Sequence, residues 1–180
     1  KRYFPNSLIV LGGYSIPKIP DRIKEFFRLH PYVDILIHGE GELTFANFLR
    51  ANMNNHQYSE VAGLTHKNPD VRAGFTSNPD AVRIDDLDTI PSPFLNGTFD
   101  EMMSRYGSKI TGALWETNRG CPYACTFCDW GDSAVNKIKK YGLDRLREEI
   151  EWISRNEFYY MFLSDANFGI FKERDLELAG

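Results

Sequence analysis

All three cysteines of this 180-residue chain fall within eight residues, as Cys121-x-x-x-Cys125-x-x-Cys128. No other feature restricts the fold as much, because the backbone there must turn so that three thiols share one loop. A disulfide framework needs paired cysteines spread along the chain, so an odd, clustered set argues against one. The thiols read as metal ligands held in a reducing compartment.

The segments around that loop follow an α/β grammar. Ser7 to Leu11 is a short apolar run ending in Gly12-Gly13, which predicts a buried strand and a tight turn. A helix is expected over Asp21 to Leu29, with Pro20 at its first position and Ile23, Phe26 and Phe27 on one face. Val33 to Ile37 reads as a second buried strand, followed by Gly39-Glu40-Gly41-Glu42. A helix over Leu43 to Met53 then places Phe45, Phe48 and Leu49 inward. Residues 57–109 are rich in Pro, Gly, Asn and Asp and read as a linker. A hairpin is expected between Ala62 and Ile84, and an extended Asp86–Pro93 stretch after it. The grammar resumes with a strand over Ile110 to Thr117, the cysteine loop, a helix over Gly142 to Arg155, and a strand over Tyr159 to Leu163.

Composition excludes several classes. Apolar residues make up 42% and aromatics 14%, so the chain can build a packed core. Its net charge is −4, with no basic block and one acidic cluster between Asp80 and Asp88, so no nucleic-acid surface is indicated. The apolar runs are too short to span a bilayer. The chain begins without Met at a strand-like segment and stops inside a helix-like one, so it reads as a piece cut at both ends.

A cubane of four irons usually takes four thiolates. Three ligands leave one iron open to bind a substrate, as an open position does in catalytic zinc sites. A structural zinc site would want a fourth Cys or His, and the nearest His is His66; an electron-transfer ferredoxin would want a fourth Cys. Strand, cysteine loop and helix in that order place the cluster at the C-terminal end of a barrel-type strand, where such folds keep their chemistry.

The stretch Glu116-Thr117-Asn118-Arg119-Gly120-Cys121-Pro122-Tyr123-Ala124-Cys125-Thr126-Phe127-Cys128 resembles the signature of the radical S-adenosylmethionine superfamily. The resemblance implies a 4Fe-4S cluster on Cys121, Cys125 and Cys128 whose open iron chelates S-adenosylmethionine. An electron from the cluster then breaks the sulfonium bond and yields a 5′-deoxyadenosyl radical. It also implies that Phe127 lies near the adenine, although by itself Phe127 reads equally as a core aromatic. Ser164-Asp165-Ala166-Asn167-Phe168 stands where the family often has Gly-Gly-Glu, and this departure resembles its cobalamin-associated branch. Asp165 and Asn167 are thereby implied to bind S-adenosylmethionine, while physically they serve equally as caps of the next helix.

The Leu-Gly-Gly turn and Val-Asp-Ile-Leu-Ile-His-Gly-Glu-Gly-Glu resemble the end of the cobalamin-binding domain that precedes many such barrels, and Asp88-Thr89-Ile90-Pro91-Ser92-Pro93 resembles the interdomain linker. Gly12, Gly13, Gly39, Glu40 and Gly41 are implied cobalamin contacts, with Glu40 and Glu42 equally explained as first-turn acids of a helix. The expected architecture is therefore α/β: residues 1–56 of a partial Rossmann-like cobalamin domain, a linker at 57–109, and residues 110–180 opening a partial (β/α) barrel. The implied activity is radical chemistry with a 4Fe-4S cluster, S-adenosylmethionine and cobalamin. Its commonest outcome is methylation of an unactivated carbon; rearrangement or epimerisation, and a non-catalytic iron–sulfur or metal module, are the alternatives. A small-molecule or peptide substrate, an electron donor such as flavodoxin or ferredoxin, and a cytoplasmic setting complete the expectation. No catalytic residue beyond the ligands is assignable.

Overall fold

The computed structural model describes residues 5–13, 15–54, 57–123, 125–127 and 138–180. It divides between Ile84 and Asp85 into two compact units, the first with one four-stranded sheet and the second with two two-stranded ones among the described residues.

The first unit runs β1 (Val10–Leu11), α1 (Pro20–Leu29), β2 (Ile35–Ile37), α2 (Gly41–Met53), β3 (Leu64–Lys67) and β4 (Phe75–Ser77). Its sheet has the order β1-β2-β3-β4. β1 lies parallel to β2, with Val10 opposite Ile35, and β3 and β4 add antiparallel strands. Pro20 opens α1, where its fixed φ suits a helix start and its missing N–H costs nothing. Strand β2 is buried on both faces. Leu36 packs with Ile16, Ile23, Phe27 and Val33 on one side, while Ile35 and Ile37 pack with Phe48, Ala51, Val61 and Leu64 on the other. Alternating side chains of a central strand thus serve two helical layers.

Two expectations change here. The inner face of α2 is Thr44, Phe48 and Ala51, whereas Phe45 and Leu49 are 44% and 42% exposed. The Thr44 hydroxyl donates to the Ala62 carbonyl at 3.2 Å, which turns the Thr44–Phe48–Ala51 face toward the sheet and leaves Phe45 and Leu49 outward. The hairpin forms, but it extends the first sheet by pairing with β2 rather than standing in a linker. Gly63 makes that junction possible at φ +76°: its N–H donates to the Pro79 carbonyl and its carbonyl accepts from His38. A Cβ there would lie 2.9 Å from that of Ala81 and 3.0 Å from the Thr44 hydroxyl. Residues through Ile84 therefore belong with the first unit.

The second unit contains a 3-10 turn (Leu87–Thr89), α3 (Asp100–Tyr106), β5 (Gly112–Trp115), β6 (Asn118–Arg119), β7 (Lys139–Lys140), α4 (Leu143–Arg155), β8 (Tyr160–Leu163) and α5 (Lys172–Ala179). β5 and β8 are parallel, from Gly112 opposite Tyr160 to Trp115 opposite Leu163, with α4 between them in the chain, so they form a βαβ unit. β6 and β7 pair antiparallel, Asn118 with Lys140 and Arg119 with Lys139, and this short ribbon closes the base of the cysteine loop.

Helix α4 buries Leu146 and Ile153 as its apolar spacing predicts, and a carboxylate between them. Glu149 accepts from the Trp115 indole at 2.8 Å and from Arg145 Nε at 2.9 Å. Arg145 reaches on to the carbonyls of Leu87 and Ile90. The Asp88 carboxylate accepts the Gly142 N–H at the start of α4, where a negative charge suits the helix dipole. The Asp86–Pro93 stretch thus opens in a 3-10 turn fastened to α4, instead of being extended throughout. Among the described residues no helix is long and apolar enough to cross a membrane.

Candidate functional site

The chemistry expected of the second unit sits just beyond the C-terminal ends of β5 and β8. Thr117 and Asn118, fully buried, carry the chain from β5 toward the cysteine loop, and buried Gly120 turns it at φ +106°, a conformation that favours glycine. Cys121 is partly buried, Cys125 is exposed, and both are free thiols. Cys128 lies outside the described residues, and among those described no three His, Cys, Asp or Glu side chains gather as a metal site.

Asp165, at the end of β8, spends its carboxylate on that entrance. Oδ1 accepts the Thr117 N–H at 2.6 Å and the Asn118 N–H at 3.1 Å. Oδ2 accepts from the Thr117 hydroxyl and, at 2.9 Å, from Asn118 Nδ2. From helix α5, Arg174 donates to the Thr117 carbonyl at 3.1 Å and to its hydroxyl at 3.0 Å. Arg174 is in turn paired with Asp175, which also receives the N–H groups of Gly169 and Phe171. Two strand ends and a helix are thereby locked by charge-assisted hydrogen bonds, the stronger kind. Two residues past Asp165, Asn167 Nδ2 stands 3.0 Å from Cys121 Sγ. Phe127 is 89% exposed, which removes the core-aromatic reading.

Beside the loop, Arg119 pairs with Glu116 at 2.9 Å, and the Tyr141 hydroxyl donates to the same carboxylate at 3.2 Å. Burial above all pushes the Tyr141 phenol up to about 12, so it keeps its proton at neutral pH.

The glycine turns of the first unit lie at the C-terminal ends of β1 and β2, the usual ligand crevice of an open α/β sheet. An open groove of about 650 Å³ there is lined by apolar residues such as Val10, Ile37 and Phe45, by Gly12 and Gly41, and by the acid Glu42. Gly13 and Gly39 have φ of +92° and +73°, and open space lies where their Cβ atoms would be. Glu40 turns elsewhere: its carboxylate accepts the Ile84 N–H at 2.7 Å and faces Arg83 at 3.4 Å. His38, half-buried, shares a hydrogen bond with the Thr65 hydroxyl at 2.9 Å, and Thr65 with Ser77 at 2.8 Å. Burial, opposed by the charge of Asp80 and assisted by that of Lys18, pulls the His38 imidazole below its ordinary pKa.

Thr117, Asn118, Arg174 and Asp175 carry the strand-end lattice, and sequence reasoning assigned none of them a role. Buried polar residues directly after an apolar strand were the available signal; Arg174 and Asp175 carry no local sequence signal for their part.

The residues present suit an iron–sulfur cluster. Two described thiols are free, one already receives an amide N–H, and the buried Asn118 Oδ1 has no hydrogen-bond partner. Open space over glycine backbone likewise suits a large flat cofactor in the first unit.

No family model matches the chain. It is 44% identical, over 99% of its length, to the cobalamin-dependent radical SAM methyltransferase TokK of Streptomyces tokunonensis. It is 42% identical, over 99% of its length, to the 2-(S-pantetheinyl)-carbapenam-3-carboxylate methyltransferase of Streptantibioticus cattleyicolor. The chain spans about a quarter of the length of each, 26%. Among solved structures, the radical S-adenosylmethionine methyltransferase TsrM of Kitasatospora setae superposes with a TM-score of 0.66 at 16% identity, covering 98% of this chain and 33% of that one. The cobalamin-dependent S-adenosylmethionine radical enzyme OxsB gives 0.63 at 21% identity, over 90% of this chain and 21% of that one. The chain is thus a homologue of cobalamin-dependent radical S-adenosylmethionine enzymes, as its motifs implied. Its fold corresponds to part of a Rossmann-like domain followed by the first βα units of a barrel.

Proposed function

We propose that this protein is a cobalamin-dependent radical S-adenosylmethionine enzyme that methylates an unactivated carbon of a small molecule. The observation that carries the reading is the cysteine loop itself: its entrance is clamped to the β8 end, and one thiol already accepts an amide hydrogen bond. Cys121, Cys125 and Cys128 hold a 4Fe-4S cluster with one open iron. When bound, the cluster supplies the electron that cleaves S-adenosylmethionine, and cobalamin carries the methyl group.

The protein's own part is binding and orientation. Phe127 offers an exposed aromatic face to the adenine. Asn167 Oδ1, which accepts nothing among the described residues, takes the methionyl ammonium, while Asp165 serves through the loop it holds. Gly12, Gly13, Gly39 and Gly41 let the cobalamin approach the backbone, and Glu40 supports them by fixing the chain at Ile84. A flavodoxin or ferredoxin supplies the electron, in a reducing cytoplasm that keeps the thiols free.

A carbapenam carboxylate, the compound class for which the 42% identical relative is named, is the first substrate to try. Full-length protein, reconstituted without oxygen and supplied with reductant, cobalamin and that substrate, is expected to give 5′-deoxyadenosine, S-adenosylhomocysteine and a methylated product. Cys121→Ala should abolish all three. Intact S-adenosylmethionine after incubation with the reduced protein would overturn the reading. 5′-Deoxyadenosine without a methylated product from any substrate would favour rearrangement or epimerisation.

A further inference from the structure

We propose that Asn167 sets the reduction potential of the cluster by donating its side-chain N–H to the sulfur of Cys121, in addition to its contact with S-adenosylmethionine. The inference rests on the cluster reading above.

Asn167 Nδ2 lies 3.0 Å from Cys121 Sγ, a close approach between groups 46 residues apart in the chain. Among the described residues no other side-chain donor reaches the sulfur of Cys121 or Cys125; the remaining polar neighbour of Cys121 is the Tyr123 carbonyl, an acceptor, at 3.9 Å. An amide N–H aimed at a ligating thiolate withdraws charge from the sulfur. It stabilises the reduced cluster, which carries one more negative charge, more than the oxidised one, and so raises the potential.

The placement is over-determined on both sides. Asp165, two residues before Asn167, is fixed by four hydrogen bonds from Thr117 and Asn118. Asn118 is three residues before Cys121, and the conformation of Gly120 sets the turn between them. Arg174 fastens Thr117 from helix α5. Donor and acceptor thus hang on short tethers from one buried lattice, the support a site needs if its first contacts are to hold their geometry. An amide used in this way faces the cluster ligand with its nitrogen and leaves its oxygen for the co-substrate, so one side chain touches both.

The test is an EPR-monitored redox titration of the full-length protein, reconstituted anaerobically, with neither S-adenosylmethionine nor substrate present. Asn167→Leu keeps the branched heavy-atom shape, though it is bulkier, and removes the donor. It should bind as much iron as the wild type and show the same cubane signal, with a midpoint more negative by about the 59 mV of a tenfold change in a one-electron equilibrium. Asn167→Asp, nearly isosteric, replaces the donor with a carboxylate and should shift the midpoint further the same way; it also gives an independent test if Asn167→Leu folds poorly. Equal midpoints in wild type and both variants, at equal iron content, would overturn the inference and leave the cluster reading standing. Absence of any four-iron signal in the wild type would remove the cluster reading and this inference with it.

Discussion

The two units place their candidate sites at the same structural address, beyond the C-terminal ends of parallel strands, and build them from opposite materials. In the first unit the groove is shaped by what is missing: Gly12 and Gly41 line it with bare backbone, Gly13 and Gly39 leave open space where a Cβ would stand, and the unit's His38–Thr65–Ser77 chain joins an imidazole to two hydroxyls. In the second unit the site hangs on buried charge. Asp165, Arg174, Asp175, Glu149 and Arg145 all engage partners at or behind the strand ends. Backbone left bare suits a large, shape-recognised cofactor, whereas a charged lattice suits thiolates that must hold one geometry through a change of electron count. The acids implied as ligand contacts, Glu40 and Asp165, act in both units as clamps on neighbouring backbone.

That contrast can be broken by mutation, and the largest effect is expected where charge is most buried. Glu149→Ala leaves Arg145 and the Trp115 indole without their shared partner and should lower the unfolding free energy of the second unit by about 3–5 kcal/mol, read from urea unfolding. Asp165→Ala removes an acceptor of four hydrogen bonds, a loss of about 1.5–3 kcal/mol, and should also reduce iron uptake on reconstitution. Gly63→Ala tests the first unit: positive φ and a 2.9 Å clash with Ala81 should cost about 1–3 kcal/mol and leave iron uptake unchanged. Glu40→Ala should cost only about 0.5–1.5 kcal/mol, because its Arg83 pair is partly solvated and long at 3.4 Å. If Glu40→Ala proved as damaging as Asp165→Ala, the two clamps would be equivalent and the contrast would fail.

The smallest effect is one of pH. A histidine whose folded pKa lies below its unfolded value of about 6.5 binds fewer protons when folded in the window between the two. For His38 the stability of the first unit should therefore be full above pH 6.5 and decline as the pH falls through that window. His38→Gln should flatten that slope, and an unchanged slope would show the imidazole to be unimportant.

Much of this was legible in the sequence because it depends on periodicity and spacing. β2 and α1 follow from Val33–Ile37 and from Ile23 and Phe27, and the cysteine loop follows from its three thiols. The inner face of α2 was not legible, since choosing Thr44 and Ala51 over Phe45 and Leu49 depends on a hydroxyl reaching the Ala62 carbonyl. Nor was the sheet membership of the hairpin, which strand pairing decides, or the lattice, because a contact between Arg174 and Thr117 has no local signature. The clamp role of Asp165 was hidden for the same reason: an acid at a strand end looks alike whether it meets a ligand or a neighbouring strand.

The central claim is that the cysteine loop carries an iron–sulfur cluster able to bind S-adenosylmethionine. Iron analysis with EPR of the dithionite-reduced full-length protein, before and after adding S-adenosylmethionine, tests it most directly. The account predicts about four irons per chain, a cubane signal that changes shape when S-adenosylmethionine is added, and loss of both in Cys121→Ala. Uptake of zinc alone, with no four-iron signal under strictly anaerobic reconstitution, would contradict it.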